Sequence, residues 1–173
     1  MPNVVLIGYR GSGKSTVARI LAKRLGMEFA DADEVLVKRA GQSIAEMFTT
    51  QGEPAFRELE CLVLADLCRR SNLVVAAGGG AVMREENRRT MRPHRVVWLR
   101  ADAETLLQRI LADETTAAQR PLLTSGSRRD EAIALLAERE PLYRDAAELS
   151  VEVADRSPEE IADEIVAGLQ IHS

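Results

Sequence analysis

Residues 4–16 read VVLIGYRGSGKST, and this stretch decides how the chain folds. Four apolar residues, enough for one buried strand, lead into three glycines, and a helical pattern begins at Lys14. Gly8, four further residues and then Gly13-Lys14-Ser15 form the P-loop, or Walker A, pattern. Between a strand and a helix, this pattern predicts a binding site for the phosphate groups of a nucleotide. A glycine-rich turn that binds nothing is the alternative, and the strand–loop–helix context disfavours it.

The residue types of the P-loop suit phosphate binding. Glycines let backbone N–H groups close around phosphate oxygens, because no Cβ stands in the way. The helix that follows directs its first amides and the positive end of its dipole at the same anion. We expect Lys14 to reach the β- and γ-phosphates and the Ser15 hydroxyl to ligate Mg²⁺. The expected nucleotide contacts are Gly11, Ser12, Gly13, Lys14, Ser15 and Thr16.

The overall composition is that of an ordinary globular protein, with 46% hydrophobic and 29% charged residues among 173. The net charge of −4 gives no general attraction to nucleic acid or to an anionic membrane. No apolar run approaches the ~20 residues of a membrane span, and no signal-peptide pattern is present, so we expect a cytoplasmic protein. Cys61 and Cys68 lie two turns apart on one predicted helix, too far for a disulfide, and we expect bystander thiols.

Apolar runs and helical periodicity alternate along the chain. The pattern predicts strands at 4–7, 27–30, 73–77, 96–99 and 149–153. It predicts helices at 14–25, 34–40, 44–48, 54–70, 85–91, 103–111, 129–140 and from Pro158 onward, and Pro141 is expected to end or kink the helix before it. Such alternation is typical of an α/β domain with a parallel sheet and helices on both sides. We expect a single domain over residues 1–173.

Two carboxylates, Asp31 and Asp33, follow the second predicted strand, at the sheet edge where ligands bind in open α/β folds. Side chains two residues apart on a strand point to the same side. One carboxylate would then lie near Mg²⁺ while the other takes the proton of an acceptor hydroxyl. The alternative is that one of them caps the next helix and its neighbour is solvated.

Glycines and arginines supply the remaining candidates. Glycines 78–80 follow the third strand and would let a ligand approach the backbone closely, although a tight turn is an equal alternative. Arg57, Arg120 and Arg139 are each typical surface charges when taken alone. In a phosphotransferase, one arginine can neutralise charge on the γ-phosphate, and others can clamp a carboxylate through paired hydrogen bonds. Together these features predict phosphoryl transfer from ATP to a hydroxyl of a small, negatively charged molecule.

With these residues in this order, the chain resembles the shikimate kinase family over nearly its whole length. The resemblance rests on residues 8–16, 31–33, 41–44, 52–60, 78–82 and 120–123, and on Arg139 followed by Pro141-Leu142-Tyr143. It implies ATP-dependent phosphorylation of the 3-hydroxyl of shikimate, a step in chorismate and aromatic amino acid biosynthesis. ATP and shikimate would be its only partners, and Mg²⁺ its cofactor.

The resemblance also implies a role for each candidate residue. Asp33 would be the base that faces shikimate, with Lys14 and Arg120 as the phosphate-stabilising cations. Arg57 and Arg139 would clamp the shikimate carboxylate. Gly79 and Gly80 would be backbone contacts to shikimate, and Glu60 would orient Arg57. Ser15 and Asp31 would be Mg²⁺ ligands, Asp31 directly or through water. Arg109 and Arg156 would be adenine-side contacts.

The implied fold is a three-layer αβα P-loop kinase of the nucleoside-monophosphate-kinase type. Its five-stranded parallel sheet would have the order 2-3-1-4-5, with a shikimate-binding region at about 34–60 and a mobile lid at about 113–127, in a monomer. Two other functions stay open. One is a gluconate or nucleoside-monophosphate kinase of the same fold. The other is a GTPase-like switch, which should carry an Asn-Lys-x-Asp motif that this sequence lacks.

Overall fold

The structure is a computed structural model and describes residues 2–112 and 128–171. The predicted lid at 113–127, with Arg120 inside it, lies outside the described residues.

A parallel sheet forms the centre of the described chain. Its strands are β1 (Val4–Ile7), β2 (Glu28–Asp31), β3 (Leu73–Ala76), β4 (Arg95–Arg100) and β5 (Leu149–Glu152). They lie in the order β2-β3-β1-β4-β5, and every neighbouring pair is parallel. The predicted strand order is therefore confirmed. β1 and β3 are buried along their whole length, because helices cover both faces of the sheet.

Helices connect the strands. They are α1 (Lys14–Leu25), α2 (Ala32–Ala40), α3 (Ile44–Arg69), α4 (Glu85–Met91), α5 (Ala103–Ala112), α6 (Arg128–Ala146) and α7 (Pro158–Leu169), with a short 3₁₀ helix at Ala81–Met83. Ser43 and Ser157 each begin a helix with a capping box, as the serine–glutamate spacing predicts. No helix in the described ranges is both long and apolar enough to cross a membrane.

Two helices differ from the sequence prediction. The helices predicted at 44–48 and 54–70 are joined into α3, where only Gly52 leaves helical geometry, with φ 84° and ψ 170°. The glycine takes a backbone conformation that other residues adopt at a cost, so the helix kinks there and continues. Pro141 does not end α6, which runs on to Ala146. Tyr143, beyond the proline, is fully buried, and this packing outweighs the local cost of proline.

The side chains of each strand alternate between two apolar layers. Val5, Ile7 and Trp98 belong to the layer that α3 and α6 cover. Val4 and Leu6 belong to the opposite layer, which α1 and α7 cover. The three-layer αβα architecture is thus confirmed, and the carboxyl ends of β1, β2 and β3 meet at one edge of the sheet.

The two cysteines are free, as predicted. Burial raises the pKa of the Cys68 thiol to about 11, so this thiol stays protonated at neutral pH. The pKa of Cys61 is also raised, first by burial and then by the neighbouring Glu86. Neither thiol has the low pKa of a reactive cysteine.

Candidate active site

The P-loop connects β1 to α1 and lines a cavity of about 730 Å³ at the carboxyl edge of the sheet. A Cβ at Gly8 would lie 2.5 Å from the backbone oxygen of Leu99, and one at Gly11 would lie 2.9 Å from that of Leu106. Both glycines also have positive φ, 149° and 85°, so the loop excludes other residues at these positions. Gly13 precedes α1 and no side chain caps this helix, which leaves its first amides facing the cavity for an anion.

Lys14, in the first turn of α1, crosses back over the loop. Its Nζ donates to the backbone oxygens of Gly8, at 2.7 Å, and Tyr9, at 3.2 Å. The two carbonyls hold the ammonium group at the cavity wall. A fixed cation beside a set of helix amides is the arrangement that stabilises the β- and γ-phosphates in P-loop proteins.

Asp31 caps the next helix, which is one of the two alternatives left open by the sequence. Its Oδ1 caps α2 by accepting from the backbone N–H of Asp33, at 2.9 Å, and of Glu34, at 3.1 Å. Its Oδ2 accepts a hydrogen bond from the Ser15 hydroxyl. The pair is an all-oxygen donor set, which is what Mg²⁺ prefers, and Mg²⁺ takes its other ligands from phosphate and water. The described residues contain no cluster of three or more acidic, histidine or cysteine ligands, so a metal bound here would depend on the nucleotide.

The sequence predicted that Asp33 lies beside Asp31 at the end of the strand, but it does not. Because Asp31 caps the helix, α2 begins at Ala32 and Asp33 lies in its first turn. Asp33 still lines the cavity, and its Oδ1 lies 3.1 Å from the position of a Cβ on Gly78. The carboxylate therefore lies directly against the glycine turn, at the edge of the cavity.

Arg57 lies on α3 and is 7% exposed. Its Nη1 donates to Oε1 of Glu60 at 2.8 Å, and Glu60 is itself only 3% exposed. A Cβ on Gly80 would lie 2.7 Å from the Arg57 Cζ, so the guanidinium packs directly against the glycine turn. The orienting role implied for Glu60 has its hydrogen bond in the structure, and the burial makes the pair sensitive to the loss of either partner.

Arg139 reaches the same glycine turn from α6. It is 4% exposed, and its Nη1 lies 3.6 Å from the position of a Cβ on Gly79. Its Cζ lies 5.5 Å from the centroid of the Tyr9 ring, close enough for a cation–π contact. The Nε is buried and has no hydrogen-bond partner among the described residues. A buried guanidinium with an unused donor is suited to receive an anion.

Arg109 and Arg156 line the other end of the cavity. Arg109 donates from Nη2 to the backbone oxygen of Val153 at 3.0 Å and from Nη1 to that of Ser12 at 3.4 Å. Arg156 forms an ion pair with Glu164 on α7. Both guanidinium groups are thus held in place at the cavity wall, Arg109 beside the P-loop backbone.

The sequence predicted Arg139 as a site residue but gave no role to two buried residues of the same helix, Glu131 and Tyr143. Glu131, Arg139 and Tyr143 recur at multiples of four residues, and all three are buried. Glu131 forms an ion pair with Arg10 of the P-loop, with 3.5 Å between Oε2 and Nη2. Tyr9 lies next to this pair. Burial raises the pKa of Tyr9 and outweighs the positive charges of Arg10 and Arg139, which lower it. The four-residue spacing was the available signal, and the mixture of charged and apolar residues on one face obscured it.

Comparison with known proteins agrees with this geometry. The family model described as shikimate kinase matches residues 10–170. The shikimate kinase of Pseudomonas savastanoi pv. phaseolicola is 43% identical over 170 residues, covering 98% of this chain and 96% of the relative. That of Rhodopirellula baltica is 41% identical over 165 residues, covering 95% and 88%.

A solved structure supports the same assignment. Shikimate kinase from Acinetobacter baumannii in complex with shikimate matches with a TM-score of 0.92 and 36% identity, covering 98% of this chain and 93% of that one. The match extends over the sheet, the P-loop and the glycine turn together, since almost the whole chain is covered. The predicted fold, enzyme class and resemblance are thereby confirmed, and this chain belongs to the shikimate kinase family.

Proposed function

We propose that the cavity at the sheet edge transfers the γ-phosphate of ATP to the 3-hydroxyl of shikimate, giving ADP and shikimate 3-phosphate. Family membership supplies the reaction, which is the ATP-dependent phosphorylation of shikimate in aromatic biosynthesis. One observation supports placing it here. Next to the P-loop, Asp33, Arg57 and Arg139 converge from three different helices on a single glycine turn.

At the nucleotide end, the first amides of α1 and the Nζ of Lys14 bind the β- and γ-phosphates. In the transfer, the bond between the γ-phosphorus and its bridging oxygen breaks while the bond to the acceptor oxygen forms. Negative charge then accumulates on the leaving β-phosphate oxygen, and Lys14 lies where it can neutralise that charge.

At the acceptor end, the Asp33 carboxylate faces the shikimate hydroxyls and accepts the proton that the attacking oxygen releases. Arg57 and Arg139 hold the shikimate carboxylate through charged hydrogen bonds. Both guanidiniums are more than nine-tenths buried, so their hydrogen bonds to a carboxylate form with little competition from water. The backbone of Gly79 and Gly80 completes the site.

Ser15 and Asp31 would hold Mg²⁺, Ser15 directly and Asp31 directly or through water. When bound, the ion supplies positive charge that the β- and γ-phosphate oxygens share. The hydrogen bonds from α2 to Asp31 fix the carboxylate in place for this role.

The remaining assignments are proposals of the same kind. Arg109 and Arg156 would contact the nucleotide on its adenine side, and Arg120 would stabilise phosphate from the predicted lid. Residues of about 34–60, which include Arg57 and Glu60, would form the shikimate-binding region. A monomeric state and a cytoplasmic location stay predictions from the sequence.

The test is ADP release from ATP with shikimate, gluconate, CMP or AMP added separately, each with Mg²⁺ and with EDTA. We expect stimulation by shikimate alone, and only with Mg²⁺ present. Stimulation by another acceptor and none by shikimate would leave the P-loop fold intact and overturn the roles of Asp33, Arg57 and Arg139. Equal activity in EDTA would overturn the Mg²⁺ assignment alone.

Replacing Gly80 by alanine should raise the KM for shikimate about tenfold while the KM for ATP stays the same. The backbone at Gly80 has a φ of −97°, so alanine adds no backbone strain. Its Cβ, however, would lie 2.7 Å from the Arg57 Cζ and would push the guanidinium away. Steady-state kinetics with each substrate varied in turn measures the effect.

A matched control is Gly26→Ala, at a positive-φ helix cap with open space around it. This control should lower stability and leave both KM values unchanged. A folded Gly80→Ala protein with a normal KM for shikimate would show that Arg57 does not bind the acceptor through this turn.

A further inference from the structure

Tyr143 takes no part in the roles above, yet it touches the centre of the acceptor site. The residue lies on α6, is fully buried, and donates a hydrogen bond from its hydroxyl to the backbone oxygen of Gly79. Arg139, one turn earlier on the same helix, places its Nη1 3.6 Å from the position of a Cβ on Gly79. One helix therefore carries both a proposed ligand of shikimate and an anchor for the neighbouring peptide.

The ring of Tyr143 is held as firmly as its hydroxyl. It stacks on Trp98 of β4, with 5.7 Å between ring centroids and 25° between ring planes. Trp98 pairs in register with Ile7, the last residue of β1 before the P-loop. The stacked ring thus fixes the position of the hydroxyl relative to the strand that carries the phosphate-binding loop.

The anchored group is the central peptide of a turn that a hydrogen bond from the Ala81 N–H to the Gly78 carbonyl closes at 3.1 Å. Because this peptide joins two glycines, its rotation meets less steric resistance than it would between other residues. A trans peptide is planar, so the carbonyl of Gly79 and the N–H of Gly80 point in opposite directions. The structure contains no cis peptide among its described residues. By fixing the carbonyl, the Tyr143 hydroxyl also fixes the direction of the Gly80 N–H.

We propose that Tyr143 is a positioning residue for the acceptor: its hydroxyl holds the peptide between Gly79 and Gly80 in the orientation that binds shikimate. The inference rests on the proposed function, because that function makes this peptide a contact of shikimate. Without the hydroxyl, the Gly79 carbonyl would lack its donor in a buried site, and the peptide would turn to find another. Shikimate binding would then weaken while the nucleotide end stays intact.

The test compares Tyr143→Phe, which keeps the ring and removes the hydroxyl, with Ile165→Val as a control. Ile165 is fully buried in α7 on the opposite face of the sheet, so its substitution reduces stability without reaching the site. We expect Tyr143→Phe to raise the KM for shikimate about tenfold, with the KM for ATP within twofold of the unsubstituted protein. The control should change neither KM.

Trp98 is the only tryptophan in the sequence, so its emission reports directly on the ring that Tyr143 packs against. An unchanged emission maximum in Tyr143→Phe, with the raised KM for shikimate, supports positioning by the hydroxyl. A normal KM for shikimate would overturn the inference. A shifted emission together with a rise in both KM values would also overturn it, because that result describes general loss of packing. If the unsubstituted protein did not phosphorylate shikimate, the proposed function itself would fail.

Discussion

Lys14→Met should lower kcat by about two to three orders of magnitude, the loss expected when one charged donor is removed from a preorganised transition-state site. Methionine keeps the length of the side chain and removes the ammonium group. In the structure this group is held by the backbone oxygens of Gly8 and Tyr9, at 2.7 Å and 3.2 Å. The cation is therefore fixed before the phosphates arrive. Arg10, the other cation of the loop, is paired with Glu131.

Lys23→Met is the matched control, because Lys23 lies on the same helix and is exposed to solvent. It should leave kcat and both KM values unchanged. Thermal unfolding of both variants shows whether a fall in kcat comes from the lost charge or from a destabilised fold. Near-normal turnover in a folded Lys14→Met protein would contradict the assignment of the P-loop as the phosphate site.

Arg139→Ala should raise the KM for shikimate by about two orders of magnitude and leave ATP binding unchanged. The guanidinium is 4% exposed, and its Nε has no partner in the part of the chain that the structure describes. A carboxylate bound there therefore gains a charged hydrogen bond in a site that largely excludes water. The P-loop amides and Lys14 are untouched by the substitution. Steady-state kinetics for both substrates, with direct measurement of ATP binding, distinguishes an effect on shikimate binding from an effect on ATP binding.

The control for this variant is Arg129→Ala on the same helix. Arg129 is exposed and pairs with Glu104 on α5, so its loss removes a surface ion pair of little energetic weight. We expect no change in either KM. If Arg139→Ala instead left the KM for shikimate unchanged, the proposed carboxylate clamp would be wrong.

The features that the sequence predicts well are local ones. The P-loop is specified by glycines at fixed spacing between a strand and a helix, and the capping boxes at Ser43 and Ser157 need only four residues each. The strand order required the family resemblance, since crossover connections are not readable from periodicity. The structure confirms the strand order.

The errors arose where distant packing or one capping bond outweighs the pattern. Asp33 was expected at a strand end, but the hydrogen bonds from Asp33 and Glu34 to Asp31 start a helix there. The helix before Pro141 was predicted at 129–140, but α6 runs through the proline to Ala146 and buries Tyr143. Tyr143 and Gly79 are 64 residues apart in the sequence, so no pattern of neighbouring residues predicts their contact.

The most direct test of the central claim is to identify the product formed from ATP and shikimate. Phosphorus NMR of the reaction mixture shows which ring proton couples to the new phosphate. The account predicts a single phosphomonoester coupled to the proton at C3, formed in step with ADP. Phosphate on another hydroxyl, or ADP formed with no phosphorylated shikimate, would contradict the placement of the acceptor between Asp33 and the two arginines.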